Sequence, residues 1–365
     1  MSVENSVIKV SDKFSDYQKA DLDAITESLN SSISGTSETV EAYEKCLSEW
    51  FECNEAIAVS SGGAALSVAL YAAGVKPGDE VILTPTSPLC TVYPIMWAQA
   101  TPVFCDVLPD SFGANLEDLK GLITSKTKAI IDIPMWGYPT QVDQLQAVAQ
   151  SHGIPLILDL AHSHGSKLHG KHLSAYGDLS CFSTHDRKPL ATGEGGFVLT
   201  DNPALAETCR LYTRFGNLNG ENFGLNFKLG ALQAALGMSR LSRLGGQIES
   251  RRKNANTLLE LIDNPHVNQF PVLEGGSPNY YALLLNIAFQ DNMEFMRYLS
   301  SQGIPSDVLK YGGKPLYKFP LITQYHRSCP NADQIFKTLT TIPVHPGVTS
   351  QQLEHIAAAI NNYKY

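Results

Sequence analysis

The strongest constraint on the fold is the regular alternation of two kinds of segment between residues 36 and 200. Short apolar runs bounded by turn residues predict buried strands, and longer segments with apolar residues at helical spacing predict helices. Strands that alternate with helices favour βαβ units, and therefore an α/β fold with a mainly parallel sheet covered by helices. The predicted strands are 56–59, 81–83, 102–107, 129–133, 156–159 and 197–199, and the helices between them are 64–74, 92–99, 116–124 and 142–152.

Beyond residue 200 the pattern becomes mostly helical. The glycine pair Gly245-Gly246, followed by a charged stretch, predicts a passage between two domains. We therefore expect an N-terminal segment at 1–35, a large domain at 36–246 and a small C-terminal domain at 247–365. The helices predicted outside the alternating region are 17–29, 39–51, 204–213, 229–244, 251–262, 292–302 and 350–361, and one more strand is predicted at 280–287.

Charge and cysteine content argue against several classes of function. A formal net charge of −9 and the lack of any basic run argue against a nucleic-acid surface. We expect no membrane anchor, because residues 1–6 are polar and no apolar stretch is long enough to span a bilayer. The seven cysteines are widely spaced and form no C-x-x-C pair, which predicts reduced thiols in a cytoplasmic protein, without disulfides or a metal site.

One lysine is a candidate reactive group. Lys188 lies five residues before the glycine-rich turn Gly193-Glu194-Gly195-Gly196, whose glycines allow the backbone to fold tightly. A lysine that loses solvent on such a loop lowers its pKa and can form a Schiff base with an aldehyde. The alternative is an ordinary surface lysine, and this motif alone leaves both interpretations open.

Two further motifs lie at or near the carboxyl ends of predicted strands, where α/β sheets bind ligands. The turn Ser60-Ser61-Gly62-Gly63 joins a strand to a helix, and the free N–H groups of a helix N-terminus favour an anion such as phosphate. Asp159 ends a strand and is suited to a protonated ring nitrogen, although each motif is also typical of an ordinary turn or cap. Together with Lys188 they supply the three contacts that pyridoxal phosphate (PLP) needs: an amine for its aldehyde, a cradle for its phosphate and a carboxylate for its pyridinium nitrogen.

From about Thr36 to the C-terminus, the order and spacing of these motifs resemble the DegT/DnrJ/EryC1/StrS family of sugar aminotransferases. The resemblance implies the type I fold of PLP enzymes, with a mainly parallel seven-stranded sheet and a smaller C-terminal α+β domain. It also implies a homodimer with shared active sites. The stretches that carry the resemblance are 60–66, 78–81, 100–106, 136–139, 159–162, 182–183, 193–196, 224–229 and 233–236.

Carried over residue by residue, the resemblance implies roles around the cofactor ring. Lys188 forms the Schiff base with the cofactor and then moves a proton between substrate and cofactor. Asp159 pairs with the pyridine nitrogen, and His162 lies near the ring hydroxyl. His185 either lines the substrate side of the site or makes only a structural hydrogen bond.

The resemblance also implies how the cofactor's phosphate and ring are held. Ser183 and the turn Gly62-Gly63 bind the phosphate, and Asn226 reaches it from the other subunit. Gly63 departs from the family pattern, which commonly has threonine there, and one hydroxyl donor is thereby removed. Pro88 stands where an aromatic ring usually stacks on the cofactor. Proline can still pack against the ring face, but the π-stacking is lost.

The leading interpretation is a PLP-dependent aminotransferase that moves an amino group from an amino acid, with glutamate or glutamine expected, to a keto-sugar, aminocyclitol or related biosynthetic ketone. One alternative is a PLP-dependent epimerase, or other carbanion chemistry on the same scaffold. Another is a non-catalytic regulatory relative, against which the retention of Lys188, Asp159 and Ser183 argues. The acceptor stays open, and the residues available to bind it in loops 208–228 and 306–317 are Arg210, Arg214, Lys310, Tyr311 and Lys314.

Overall fold

The computed structural model describes residues 8–15, 17–289 and 291–364, so the first seven residues of the expected N-terminal segment lie outside the described residues. Apolar runs form most of its strands, because side chains on both faces of each run become buried. The strands are β1 (Glu55–Val59), β2 (Glu80–Leu83), β3 (Thr101–Phe104), β4 (Thr127–Asp132), β5 (Leu156–Asp159), β6 (Lys167–Leu168), β7 (Lys171–His172), β8 (Leu179–Ser183), β9 (Gly196–Thr200), β10 (Val267–Gln269), β11 (Gly276–Ser277), β12 (Leu283–Ile287) and β13 (Leu339–Ile342).

Several helices begin at side chains that cap them. Asn115, Asn202 and Asp291 each accept two backbone N–H groups of the first helical turn, which satisfies donors that have no acceptor inside the helix. The α-helices are α1 (Lys19–Ser28), α2 (Glu38–Phe51), α3 (Gly62–Ala72), α4 (Leu89–Trp97), α5 (Leu116–Leu122), α6 (Val142–Ser151), α7 (Pro203–Thr213), α8 (Ala231–Leu261), α9 (Asn292–Ser301), α10 (Asp307–Lys310), α11 (Pro330–Thr338) and α12 (Ser350–Asn362).

The central sheet has seven strands in the order β1-β9-β8-β5-β4-β2-β3. Strand β9 is antiparallel to both of its neighbours, and the other neighbouring pairs are parallel. Each face of the sheet contributes to a separate apolar cluster: Ile57 and Val59 of β1 belong to one cluster, and Ala56 and Ala58 to the other. The predicted mainly parallel seven-stranded sheet with helical cover is therefore confirmed.

A second, antiparallel sheet forms in the C-terminal part, with the order β10-β12-β13. Helices α9 and α11 pack against its strands, and α12 packs against α8. This arrangement confirms the expected smaller α+β unit. A third small sheet joins β11 to β6 and β7, so the chain after residue 261 also contacts the central region.

The prediction of two helices separated at Gly245-Gly246 is wrong. Helix α8 runs without interruption through both glycines for 31 residues. Buried side chains on either side of them, Leu244 and Ile248, belong to one apolar cluster, and such tertiary packing outweighs the weak helix propensity of glycine. The expected boundary at 246/247 thus lies inside a helix and not in a linker, while the division into domains itself stays a prediction.

No helix in the described ranges is both long and apolar enough to cross a membrane. The same residues contain no group of three or more histidine, cysteine or acidic side chains placed to hold a metal ion. All seven cysteines are unpaired, and four of them are buried.

Candidate active site

A cavity of about 390 Å³ lies beside the carboxyl ends of the parallel strands. One wall comes from segments that follow β2, β4, β5 and β8, and the opposite wall comes from the C-terminal part of the chain. Ligands of α/β proteins bind at this edge of the sheet. The lining residues include the predicted Pro88, His162, His185 and Lys188.

Lys188 reaches the cavity from the loop after β8. Its backbone N–H donates to the His185 carbonyl at 2.8 Å, and the N–H of Thr184 donates to the Gly195 carbonyl at 2.8 Å, which closes the loop. Gly195 has a φ of +147°, and a Cβ there would lie 2.4 Å from Thr184 Oγ1. The glycine-rich turn is therefore required by this close approach, and it fixes the segment that carries Lys188.

The Lys188 amine is set up to be a nucleophile. Burial lowers its pKa to about 8, and the nearby Cys90 thiol and Asp159 carboxyl only partly oppose that effect. The Nζ atom lies 5.1 Å from the centroid of the Tyr281 ring. A lowered pKa leaves a larger fraction of the amine unprotonated at neutral pH, which is the form that attacks a carbonyl.

Asp159 is a buried carboxyl, 5 % exposed, at the end of β5. Its Oδ2 accepts a hydrogen bond from Thr91 Oγ1 at 2.6 Å, and its Oδ1 accepts the N–H of Ala161 at 3.1 Å. Burial raises the pKa of this carboxyl, while the bonds from Thr91 and Ala161 and the charge of Lys188 favour its ionised form. A carboxylate in this position is stabilised by a cationic partner such as a pyridinium nitrogen. Sequence reasoning missed Thr91, which no local signal distinguishes from other threonines.

The turn before α3 forms an anion cradle together with β8. Ser61 caps the helix by accepting the N–H of Ala64 at 3.0 Å, and the N–H groups of Gly62 and Gly63 belong to the first turn, where donors lack intrahelical acceptors. A Cβ on Gly62 would lie 2.7 Å from the Ser183 Cβ, whereas a Cβ on Gly63 would meet only Ser61 Oγ, at 3.8 Å. Glycine at 62 thus allows Ser183 to approach the helix N-terminus.

His162 lies against an aromatic wall that sequence reasoning did not identify. Its ring stacks on Tyr281 with centroids 4.3 Å apart and planes 8° apart, and its Nδ1 accepts the N–H of Trp136 at 3.4 Å. Burial, and then the charge of Lys188, lower the His162 pKa well below its usual value, so the ring is neutral. Trp136 has a φ of +50°, a strained conformation for a large residue and typical of functional sites.

The remaining predicted cofactor contacts differ in placement. Pro88 precedes α4 and lines the cavity. His185 lines it as well, and its backbone N–H donates to Ser183 Oγ at 3.3 Å. Asn226 does not line this cavity. It is exposed, and its Oδ1 accepts a hydrogen bond from the Lys228 ammonium at 2.6 Å.

The residues suggested for acceptor binding also divide into two groups. Tyr311 and Lys314 line the cavity, and the Lys314 ammonium lies 4.5 Å from the centroid of the Phe319 ring. Lys310 is bound to Asp12 at 2.5 Å. The other two residues, Arg210 and Arg214, line a separate polar cleft beside α2.

Comparison with known proteins agrees with this geometry. A family model described as the DegT/DnrJ/EryC1/StrS aminotransferase family matches residues 15–361. GDP-perosamine synthase of Escherichia coli O157:H7 is 27% identical, over 93% of this chain and 94% of that protein. A pleiotropic regulatory protein of Geobacillus stearothermophilus is 27% identical, over 98% of both chains. The solved structure of an aminotransferase from Psychrobacter cryohalolentis has a TM-score of 0.86 at 26% identity, and covers 94% of this chain and 96% of that one.

The family match spans both the central sheet and the C-terminal sheet. The similarity to the solved aminotransferase extends over the same regions and confirms the type I fold expected from the sequence. The chain belongs to the DegT/DnrJ/EryC1/StrS aminotransferase family.

Proposed function

We propose that this protein is a PLP-dependent aminotransferase that moves an amino group from glutamate or glutamine to a keto-sugar. The observation that carries the proposal is the Lys188 amine, which lines a cavity at the sheet edge with a lowered pKa and lies within electrostatic reach of the buried Asp159. An unprotonated amine and a buried carboxylate are the two groups that PLP chemistry requires from the protein.

The residues around the cavity fit the cofactor. The cradle formed by Ser183, Gly62 and Gly63 offers a phosphate the free N–H groups of a helix N-terminus, with no side chain on either glycine to block them. Asp159 is suited to the ring nitrogen, His162 to the ring hydroxyl and Pro88 to one ring face. When bound, PLP supplies an electron sink for the negative charge that develops at the substrate carbon.

Each side chain has a task that its surroundings support. Lys188 would take the proton from the substrate carbon at its Nζ and pass it to the aldehyde carbon of the cofactor, because an amine with a pKa of about 8 exchanges protons readily near neutral pH. Asp159, which accepts two hydrogen bonds, stays ionised opposite a cationic ring. Neutral His162 accepts at Nδ1, which leaves Nε2–H as its hydrogen-bond donor.

The acceptor is proposed to be a nucleotide-linked keto-sugar. The name of the related GDP-perosamine synthase and the Lys314 and Tyr311 side chains in the cavity wall support this assignment. An ammonium beside aromatic rings suits a phosphorylated ligand with a flat base. The unpaired cysteines support a cytoplasmic location.

We also propose that this protein forms a homodimer whose two subunits share their active sites. Asn226 is exposed in the same loop segment as two large apolar side chains, Leu218 and Phe223, which are 81% and 64% exposed. Large apolar side chains exposed within one short segment are typical of a protein interface. Such an interface would allow Asn226 to reach the phosphate of the neighbouring subunit.

A half-reaction assay without acceptor tests the proposed chemistry. We expect the PLP-loaded protein to form about one 2-oxoglutarate per subunit from L-glutamate and then stop, as ping-pong kinetics requires. A keto-sugar nucleotide should restart turnover, and Lys188→Ala should form none. Binding of PLP without any keto acid from glutamate or glutamine would favour the epimerase alternative instead.

A further inference from the structure

The N-terminal residues 8–15, which we call the N-terminal strap, cross the C-terminal part of the chain and reach the loop that carries Lys188. Val10 is buried and its N–H donates to the Gly303 carbonyl at 2.9 Å. His345 Nε2 donates to the Ser11 carbonyl at 2.9 Å, and Phe14 stacks on the His345 ring. The strap is thus anchored on the C-terminal part by main-chain and aromatic contacts.

Two consecutive strap residues pair with two consecutive residues just before Lys188. Lys13 forms an ion pair with Asp186, and Asp12 forms one with Arg187. The first pair is open to solvent, with side chains 44% and 47% exposed, whereas the Arg187 side chain is only 16% exposed. Exposed pairs are screened and contribute little, while partly buried charges interact strongly.

Arg187 is held by several groups at once. Its Nη2 donates to Asp12 Oδ2 at 3.2 Å and to Asp307 Oδ1 at 3.0 Å, and its Nη1 donates to the Tyr311 hydroxyl. Arg187 and Asp307 line the same cavity as Lys188. The guanidinium therefore lines the same cavity as the reactive amine, and it lies between one acid from the strap and one from the C-terminal part.

The charge of Arg187 matters to Lys188. A neighbouring cation disfavours protonation of the amine, and a neighbouring anion favours it; accordingly Arg187 lowers the Lys188 pKa and Asp307 raises it. Without the two carboxylates, the Arg187 charge would act on Lys188 with no acid beside it, and the guanidinium would keep only its bonds to the Tyr311 hydroxyl and the Asp12 main-chain carbonyl. Among the described residues, the other titratable groups that face Lys188 are Cys90, Asp159, His162, His164 and Tyr281. Lys310 shares the Asp12 carboxylate with Arg187.

We propose that Asp12 and Asp307 are positioning residues for Lys188: they hold the Arg187 guanidinium at the wall of the cavity that Lys188 lines, and they balance its charge there. The inference rests on the proposed function, in which Lys188 is the reacting amine. It gives the N-terminal strap a role in the active site that no motif in the strap indicates. The effect comes from charge and placement, since neither acid needs to touch substrate.

The test measures the protonation of Lys188 in the protein free of cofactor. Labelling by an amine-acylating reagent, followed by mass spectrometry of the Lys188 peptide across pH, gives the midpoint of its reactivity. Asp12→Asn and Asp307→Asn should each lower the midpoint and increase labelling at pH 7 by about twofold or more, as a pKa drop of about 0.3 requires. Lys13→Met, which breaks the neighbouring pair of the same strap, should leave the midpoint unchanged.

The second part of the test repeats the labelling in a variant that already carries Arg187→Met. There, Asp12→Asn should have no effect on labelling, because no guanidinium is left to balance. An unchanged midpoint in both aspartate variants, or an equal shift in Lys13→Met, would overturn the proposal in favour of a purely mechanical strap. Thermal unfolding checks that each variant is folded. If Asp12→Asn does not fold, Asp307→Asn decides through its shift with Arg187 present, which should exceed its shift in the Arg187→Met background. Failure of the proposed function would appear separately, as loss of PLP binding with normal labelling behaviour.

Discussion

Gly62 and Gly63 are adjacent in the turn before α3, yet a side chain would meet different surroundings at each. At Gly63 a Cβ has only Ser61 Oγ nearby, at 3.8 Å. We therefore expect Gly63→Thr to fold normally and to add a hydroxyl donor for the phosphate. A charge-assisted hydrogen bond contributes about 1.5 kcal/mol or more, so the PLP dissociation constant should fall about tenfold. Fluorescence titration of the cofactor-free protein measures it.

Gly62→Ala is the matched control for that substitution. Its Cβ would lie 2.7 Å from the Ser183 Cβ, so Ser183 or the helix N-terminus must shift. PLP binding should weaken by about tenfold or more, since a misplaced cradle loses charge-assisted bonds. Tighter binding in Gly62→Ala, or weaker binding in Gly63→Thr, would show that the phosphate lies elsewhere.

The buried carboxyl of Asp132 should make the stability of the protein depend on pH. It is buried at the end of β4, accepts a hydrogen bond from Thr140 Oγ1 at 2.5 Å, and has a pKa raised by burial from 3.8 to about 6. Because the folded state holds this proton more tightly, the stability it provides is present below pH 3.8 and lost as pH rises through 6. Asp132→Asn should therefore increase the free energy of unfolding by about 3 kcal/mol at pH 8 and by little at pH 4. Denaturant titrations at both pH values measure it, and equal effects at the two would contradict the assignment.

Helix α8 allows a direct test of why its glycines do not interrupt it. No atom lies within 4 Å of a Cβ built on Gly245 or Gly246, so alanine fits at both positions. Each Gly→Ala change should raise the free energy of unfolding by about 0.5–1 kcal/mol, because it reduces the conformational freedom of the unfolded chain. A linker at this point would instead lose stability, since its glycines would need conformations that alanine disfavours.

Gly237 of the same helix provides the contrast. A Cβ there would lie 2.6 Å from the Tyr43 Cζ, and Tyr43 is completely buried. Gly237→Ala should be destabilising by about 1–3 kcal/mol through overpacking. If Gly237→Ala, Gly245→Ala and Gly246→Ala all changed the free energy of unfolding in the same direction, packing between α2 and α8 would not be what distinguishes these positions.

The sequence predicted an element well when the element's own residues carried the pattern, and poorly when its burial came from neighbouring parts of the fold. Strands β1, β2 and β4 are apolar runs and were predicted to within a few residues, whereas β8 (Leu179–Ser183) was missed. Two of its five residues are serines, which interrupt the apolar run, yet all five residues are buried, because β8 lies between two neighbouring strands in the middle of the sheet. The same reasoning separates Lys188 and Asp159, which stand at recognisable motifs, from Thr91 and Tyr281. The latter two reach the site only through tertiary folding, which no local pattern records.

At the scale of the whole molecule, the proposed shared site predicts complementation between two inactive variants. A mixed dimer of Lys188→Ala and Asn226→Ala subunits would contain one site with both residues intact. The mixture should therefore be more active than the sum of the two variants measured separately. Native mass spectrometry should confirm that mixed dimers form. Absence of any gain in their presence would place Asn226 outside the neighbouring site.

The central claim is that Lys188 holds PLP and that the cofactor accepts an amino group. The most direct measurement is the absorption spectrum of the purified protein with PLP, before and after addition of L-glutamate or L-glutamine. We expect a visible band that requires Lys188, is absent from Lys188→Ala, and disappears when the donor is added. A Lys188-dependent band that no amino acid removes would contradict transamination, and the absence of such a band would contradict the assignment of the cofactor.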